Sequence, residues 1–247
     1  MSLKGSAFLA IWNDIVPEHD EEFNEWHTKE HIPERVGIPG FLAGRRYVNT
    51  VNGAGHTGHI RYFTLYEGES LEVFHGKDYL ARLNSPTPWT QKMMPAFRNF
   101  IRGACQTVFS KGSGIGGGLA TIALKSSAPV ANKELTAAIS LAEQLLSMKG
   151  ITGVHLGAVS QEVTGVQTKE KKLRTNTAEK TFDLLFMAEG LGQEEITSKI
   201  SLVEAGVKSA FPFAREIQTE IYQLAYMLTS ESCSRVPEDS GGKQWGE

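Results

Sequence analysis

The run EEFNEWHTKEHIPER, residues 21–35, holds two histidines and a glutamate at helical spacing. At about 100° per residue, Phe23, Trp26, His27, Glu30 and His31 fall on one arc of that helix. Glu21, Glu22, Glu25, Thr28 and Lys29 occupy the other side, an ordinary solvated face. The aromatic pair marks the first arc as the inner one, so an acid and two imidazoles point where apolar residues belong. A polar group buried without a partner costs of order 2–7 kcal/mol, so such groups have partners or a task. Histidine titrates near neutral pH; a carboxylate neighbour favours its charged form and desolvation opposes it. His27, Glu30 and His31 are therefore the candidate catalytic residues, with Glu30 and His27 as the preferred proton-handling pair.

Other readings of these residues compete. His27-x-x-Glu30-His31 also fits an H-x-x-E-H zinc-hydrolase pattern, with the histidines as ligands and Glu30 as base. That pattern needs a third ligand, which the sequence does not identify, and Pro33 is expected to end the helix at Ile32. No metal ligand is assigned. In the blandest reading the three side chains form a structural network. Trp12, Trp26 and Trp89 are candidate walls of a ligand pocket, Trp89 as a lid in the segment Pro86-Thr87-Pro88. Asn13 and Asp14 are expected to cap the helix. Arg45 and Tyr47 share one side of a strand and Arg46 the other, so one arginine can meet a ligand carboxylate or Glu30, with a surface ion pair as the competing reading. Arg46 is assigned to the ligand side. Tyr62, Thr64 and Tyr66 share a face as core and rim, and Tyr62 is the candidate ligand contact among them. His56 and His59, at a glycine-rich hairpin tip, read as solvated.

The elements that must hold these residues come in a repeated order. Residues 7–12 read as a strand, 17–32 as a helix, 41–50 as a strand, and Asn52 to Gly55 as a turn into a strand at 60–67. A helix over 70–83, a proline-rich loop over 85–95 and a strand over 101–109 complete βαββαβ, the split-βαβ or ferredoxin-like order. Residues 111–118 (KGSGIGGG) satisfy G-x-G-x-x-G but lead into a strand, not a helix, and read as a linker. The order then recurs: strand 119–125, helix 132–148, strands 153–160 and 182–188, helix 193–205, strand 216–227. Ile38-Pro39-Gly40-Phe41 matches Ile151-Thr152-Gly153-Val154, and Gly44 matches Gly157. A polar insertion, 164–179, is expected to be a long hairpin loop.

The fold expectation is α+β: tandem ferredoxin-like modules over 6–110 and 119–228, packing their sheets into one antiparallel barrel within the chain. The tail from 229 to 247 is rich in Ser, Gly, Glu and Pro and reads as disordered. A formal net charge of -3 carries no basic footprint, which argues against nucleic acid as a partner. Two cysteines are too few for a disulfide framework and fit a reducing cytoplasm. No apolar run reaches the ~20 residues of a membrane span, and no signal-peptide pattern opens the chain.

Trp26-His27-x-x-Glu30-His31-Ile32-Pro33-Glu34-Arg35, followed by Ile38-Pro39-Gly40-Phe41 and Arg45-Arg46-Tyr47, resembles the EthD-like branch of the dimeric α+β barrel superfamily. The resemblance covers residues 6–110; the second half matches in element order alone, and its helix over 132–148 has no histidine or tryptophan. Relatives in that superfamily include cofactor-independent monooxygenases, polyketide cyclases, lactone isomerases and haem-dependent branches. The resemblance implies a pocket for a small hydrophobic or aromatic organic molecule and oxygenation, cyclisation or isomerisation chemistry, with no cofactor assigned. A non-catalytic binding or scaffold barrel is the alternative. A homodimer stays open, because the internal repeat can replace the usual dimer contact.

Overall fold

The computed structural model describes residues 3–49, 59–128 and 130–233. The expected turn at Asn52 to Gly55, His56, and the tail beyond Cys233 lie outside these residues. Eight strands, β1 (Ala7–Ile15), β2 (Phe41–Val48), β3 (Tyr62–Gly68), β4 (Phe97–Gly112), β5 (Gly118–Ser126), β6 (Ile151–Val159), β7 (Leu184–Gly190) and β8 (Ala214–Thr229), form a closed barrel. Its order is β1-β3-β2-β8-β5-β7-β6-β4, and every neighbouring pair is antiparallel. Each half therefore contributes the order 4-1-3-2 of a ferredoxin-like module. The pairs β2–β8 and β4–β6 sew the halves together, so a single chain leaves no open sheet edge.

Alternation along the strands sorts side chains into two layers. Phe8, Trp12, Tyr47, Phe63, Leu65, Met187 and Tyr222 fill the barrel interior. The outward face of the second module packs under α5 (Asn132–Leu146) and α8 (Gln193–Ala210) through an apolar cluster that includes Ile122, Leu141, Leu145 and Phe186. The first module is covered by α1 (Asp20–Trp26), a π-helical turn (His27–His31), α2 (Ile32–Val36), α3 (Lys77–Asn84) and α4 (Pro88–Met93). Two short helices of the second-module insertion, α6 (Gln161–Thr164) and α7 (Lys169–Leu173), also lie against the first module, and α9 (Ser230–Cys233) follows β8.

Three local expectations change. The helix does not stop at Pro33: the Ile32 N–H bonds the carbonyl of His27, a wider turn that absorbs the donor missing from proline, and helix continues to Val36. Asn13 and Asp14 do not cap it; Asp14 instead accepts from the Arg61 N–H at 2.7 Å and from Asn99 at 2.6 Å. The proline-rich segment holds α4, with Thr87 capping the Thr90 N–H at 3.0 Å and Pro88 at the first helical position.

The repeat is real but its register differs from the sequence match. Gly40 and Gly150, at φ +89° and +85°, make the equivalent helix-to-strand turns, and a bulge follows each at Phe41/Ala43 and Ile151/Gly153. The left-handed backbone at that turn fixes which glycines correspond. In this register Arg45 corresponds to His155 and Glu67 to Glu189. The four meet inside the barrel: Arg45 bonds Glu67 at 2.5 Å and Glu189 at 2.9 Å, and His155 approaches Glu189 at 3.3 Å. Burial works to raise the Glu189 carboxyl, but His155, Arg45 and the Gly116 N–H hold it below the ordinary range.

Candidate functional site

Asn13 on β1, Thr64 and Tyr66 on β3, His27 and His31 on the π-turn, and Arg35 on α2 face one cavity between helix and sheet. Phe97, Phe100 and Arg102 of β4 continue its wall, and Glu170, Arg174 and Glu179 from the second-module insertion close it. Its free volume is ≈ 60 Å³, room for about two waters and well below the ~150 Å³ that admits benzene. An aromatic guest therefore requires the wall to move.

Five buried polar atoms around this cavity have no hydrogen-bond partner among the described residues: Asn13 Nδ2, His27 Nδ1, His31 Nδ1, Thr64 Oγ1 and Tyr66 OH. Leaving one such group unsatisfied costs about 1–3 kcal/mol. The second module shows that the fold does not require them. Its equivalents of Asn13, Thr64, Tyr66, His31 and Arg35 are Leu124, Phe186, Ala188, Leu141 and Leu145, all in a filled apolar core. Four of the five unpaired polar atoms thus sit at positions that carry packing in the other half.

The imidazoles are held by aromatic stacking. His27 lies on Phe23, with centroids 5.0 Å apart, His31 lies on Trp26 at 4.3 Å, and the two imidazoles stand 5.4 Å apart. Burial pushes both well below the usual histidine range, and the positive charges of Arg46 and Arg35 on His27, and of Arg35 on His31, push further the same way. Both rings are neutral at pH 7. Burial likewise raises the Tyr66 phenol, so it stays protonated.

Glu30 does not join the histidines. Its carboxylate accepts from Thr87 Oγ1 at 2.6 Å and Trp26 Nε1 at 3.1 Å, because the hydroxyls and indole of α4 and α1 offer donors that neutral imidazoles in an apolar stack do not. Glu30 thereby fixes the indole on which His31 rests. The H-x-x-E-H set is not assembled, and among the described residues no three His, Cys, Asp or Glu side chains stand together to hold a metal. The cavity is also far too small for a haem macrocycle.

The remaining sequence candidates lie around the cavity without lining it. Trp12 points into the barrel, with Nε1 3.4 Å from Thr121 Oγ1. Trp26 backs His31. Arg46 donates to the Asn24 carbonyl at 3.0 Å and reaches His27 by its charge. Tyr62 donates to Asp20 at 2.7 Å beneath the start of α1. Trp89 donates to Glu22 at 3.2 Å on the outer side of the helix. His59 bonds Glu220 at 2.7 Å at the barrel rim.

Sequence reasoning passed over Asn13, Thr64, Tyr66 and Arg35 as cap, rim and motif residues. The shared face of Thr64 and Tyr66 was the available signal. Nothing local in the insertion announces that Glu170 reaches a helix of the other module.

No family model matches the chain, and no curated protein matches it in sequence. Solved structures do match its fold. An anthrone oxidase-like protein aligns at TM-score 0.60 and 10% identity, over 93% of this chain and 96% of its own. A candidate monooxygenase from Fusobacterium nucleatum subsp. nucleatum aligns at TM-score 0.56 and 9% identity, over 92% and 96%. A chlorite dismutase mutant from Candidatus Nitrospira defluvii aligns at TM-score 0.52 and 9% identity, over 90% and 92%. The fold is that of the dimeric α+β barrels. Both halves of the present barrel are covered by these alignments, and none of the three proteins is described as EthD-like.

Proposed function

We propose that the first module binds a small oxygenated organic molecule in the cavity and removes a proton from it with His27 or His31. The carrying observation is the cluster of five unpaired polar atoms, four of them at positions that the second module fills with apolar side chains. A neutral imidazole is the form that can accept a proton. Its protonation is disfavoured by burial and by the neighbouring arginines. Proton loss from a bound phenol, enol or activated C–H creates a counter-charge beside the ring. The field of Arg35 and Arg46 that suppresses imidazolium stabilises the same anion. Trp26 and Phe23 keep the rings oriented, and Glu30 positions Trp26. An anion made in this way can be oxygenated by dioxygen, close a ring or shift a double bond. The names of the structural neighbours favour oxygenation and make anthrone a first turnover substrate to try.

The small closed volume favours a second reading in which the site binds without turnover. Both readings require ligand ionisation, which 4-nitrophenol reports by colour. At pH 6 the proposal expects the yellow phenolate band to grow as protein is added, and to vanish in a His27→Gln/His31→Gln double variant. A saturating interaction with no band, or an equal band in that variant, contradicts it. Oxygen uptake with anthrone then separates catalysis from binding.

A further inference from the structure

The wall that closes the cavity is held by an ion pair between modules. Arg35 is buried, its Nη1 bonds Glu34 at 2.9 Å, and its Nη2 bonds Glu170 of α7. Glu34 does not line the cavity and is shared with Arg82 at 3.7 Å. Glu170 does line it, so its carboxylate is the internal anion of the site. Besides Arg35, the cations Arg102, Lys171 and Arg174 line the cavity, against two carboxylates, Glu170 and Glu179. Glu179 is engaged by Lys171 at 3.0 Å and Arg174 at 2.7 Å. With both histidines neutral, the lining carries more positive than negative charge. Tyr66 OH, a protonated donor without a partner among the described residues, also faces the cavity.

We infer that the cavity takes an organic carboxylate, whose charged group replaces Glu170 on Arg35. This rests on the small-molecule reading above and adds the ligand's charge and its anchor. The replacement also removes the obstacle of volume. The Arg35–Glu170 pair is a main tie of α7 to the first module, alongside the Lys169 N–H on Asn84 at 3.0 Å. Once an external anion holds Arg35, the Glu170 side chain is free to leave, and the space it occupied passes to the ligand. Arg35 keeps a carboxylate-like partner throughout, so no buried charge is left bare. The insertion of the second module thus gates the site of the first.

Benzoate and its neutral isostere benzamide test this by calorimetric titration of the full chain and of a Glu170→Gln variant. The inference expects benzoate to bind the variant at least tenfold more tightly than the unmodified protein, with benzamide changed less than twofold. In the unmodified protein, benzoate should speed amide exchange across residues 169–173, whereas benzamide should not. This second measurement stands if the variant fails to fold. Benzoate affinity unchanged or lowered by Glu170→Gln, equal gains for both probes, or slower exchange in α7 would overturn the inference. Binding of 4-nitrophenol without any binding of benzoate would overturn it alone. Failure of all three probes would overturn the small-molecule reading as well.

Discussion

The two imidazoles at the cavity dominate the chemistry of single residues. Their folded pKa values lie well below the ordinary 6.5, so the unfolded chain binds more protons than the native one just below that pH. Stability is then complete above about pH 6.5 and falls as pH drops toward the folded values. Glu189 follows the same sign in a lower window, from the carboxylate value of 4.5 downward. Melting temperature is therefore expected to fall between pH 6.5 and about 5 in the unmodified protein. A His27→Gln/His31→Gln variant should be flatter over that range. An equal slope in both proteins would show that these rings are not buried neutral. The polar arc was legible because its spacing is helical. The separation of Glu30 from the histidines was not, because it depends on Thr87 and Thr90, hydroxyls from a distant helix.

At the scale of elements, the sequence order of strands and long helices matches the structure closely, since period-2 and period-3.6 patterns are local. What escaped were features whose cause is elsewhere in the chain. The π-turn lets Pro33 sit inside a helix, and a local rule against proline could not anticipate it. Thr87-Pro88 is a helix start, yet its prolines read as loop. Replacing Thr87 by Ala should cost about 0.5–2 kcal/mol through the lost cap, and should also loosen Glu30 and Trp26. Chemical denaturation measures the first effect. A shift in Trp fluorescence that accompanies His31 exposure measures the second. A loss below ~0.3 kcal/mol would deny Thr87 either role.

Across the whole molecule, two modules of one topology do different work. The second packs α5 and α8 on an apolar core, while the first keeps polar atoms around an incomplete one. The barrel interior ties them through Arg45, Glu67, His155 and Glu189, each module contributing one base and one acid. Arg45→Met would leave two carboxylates buried beside a single imidazole and should cost about 3–5 kcal/mol in urea unfolding. Restoring most of that loss with Glu67→Gln in the same chain would support charge imbalance as the cause. The tandem plan could be read from the repeated element order, but the traffic between halves could not. Glu170 lies in an insertion whose polarity suggested only a long hairpin loop, and its burial is decided by Arg35, on a helix more than a hundred residues away. Among the described residues no helix is long and apolar enough to cross a membrane.

Nitrogen-15 spectra of histidine-labelled protein report the protonation of His27 and His31 one ring at a time. The free protein should show both rings neutral down to below pH 6, and saturating 4-nitrophenol should convert at least one to imidazolium at that pH. Two rings that titrate near 6.5 with or without the phenol would contradict the account.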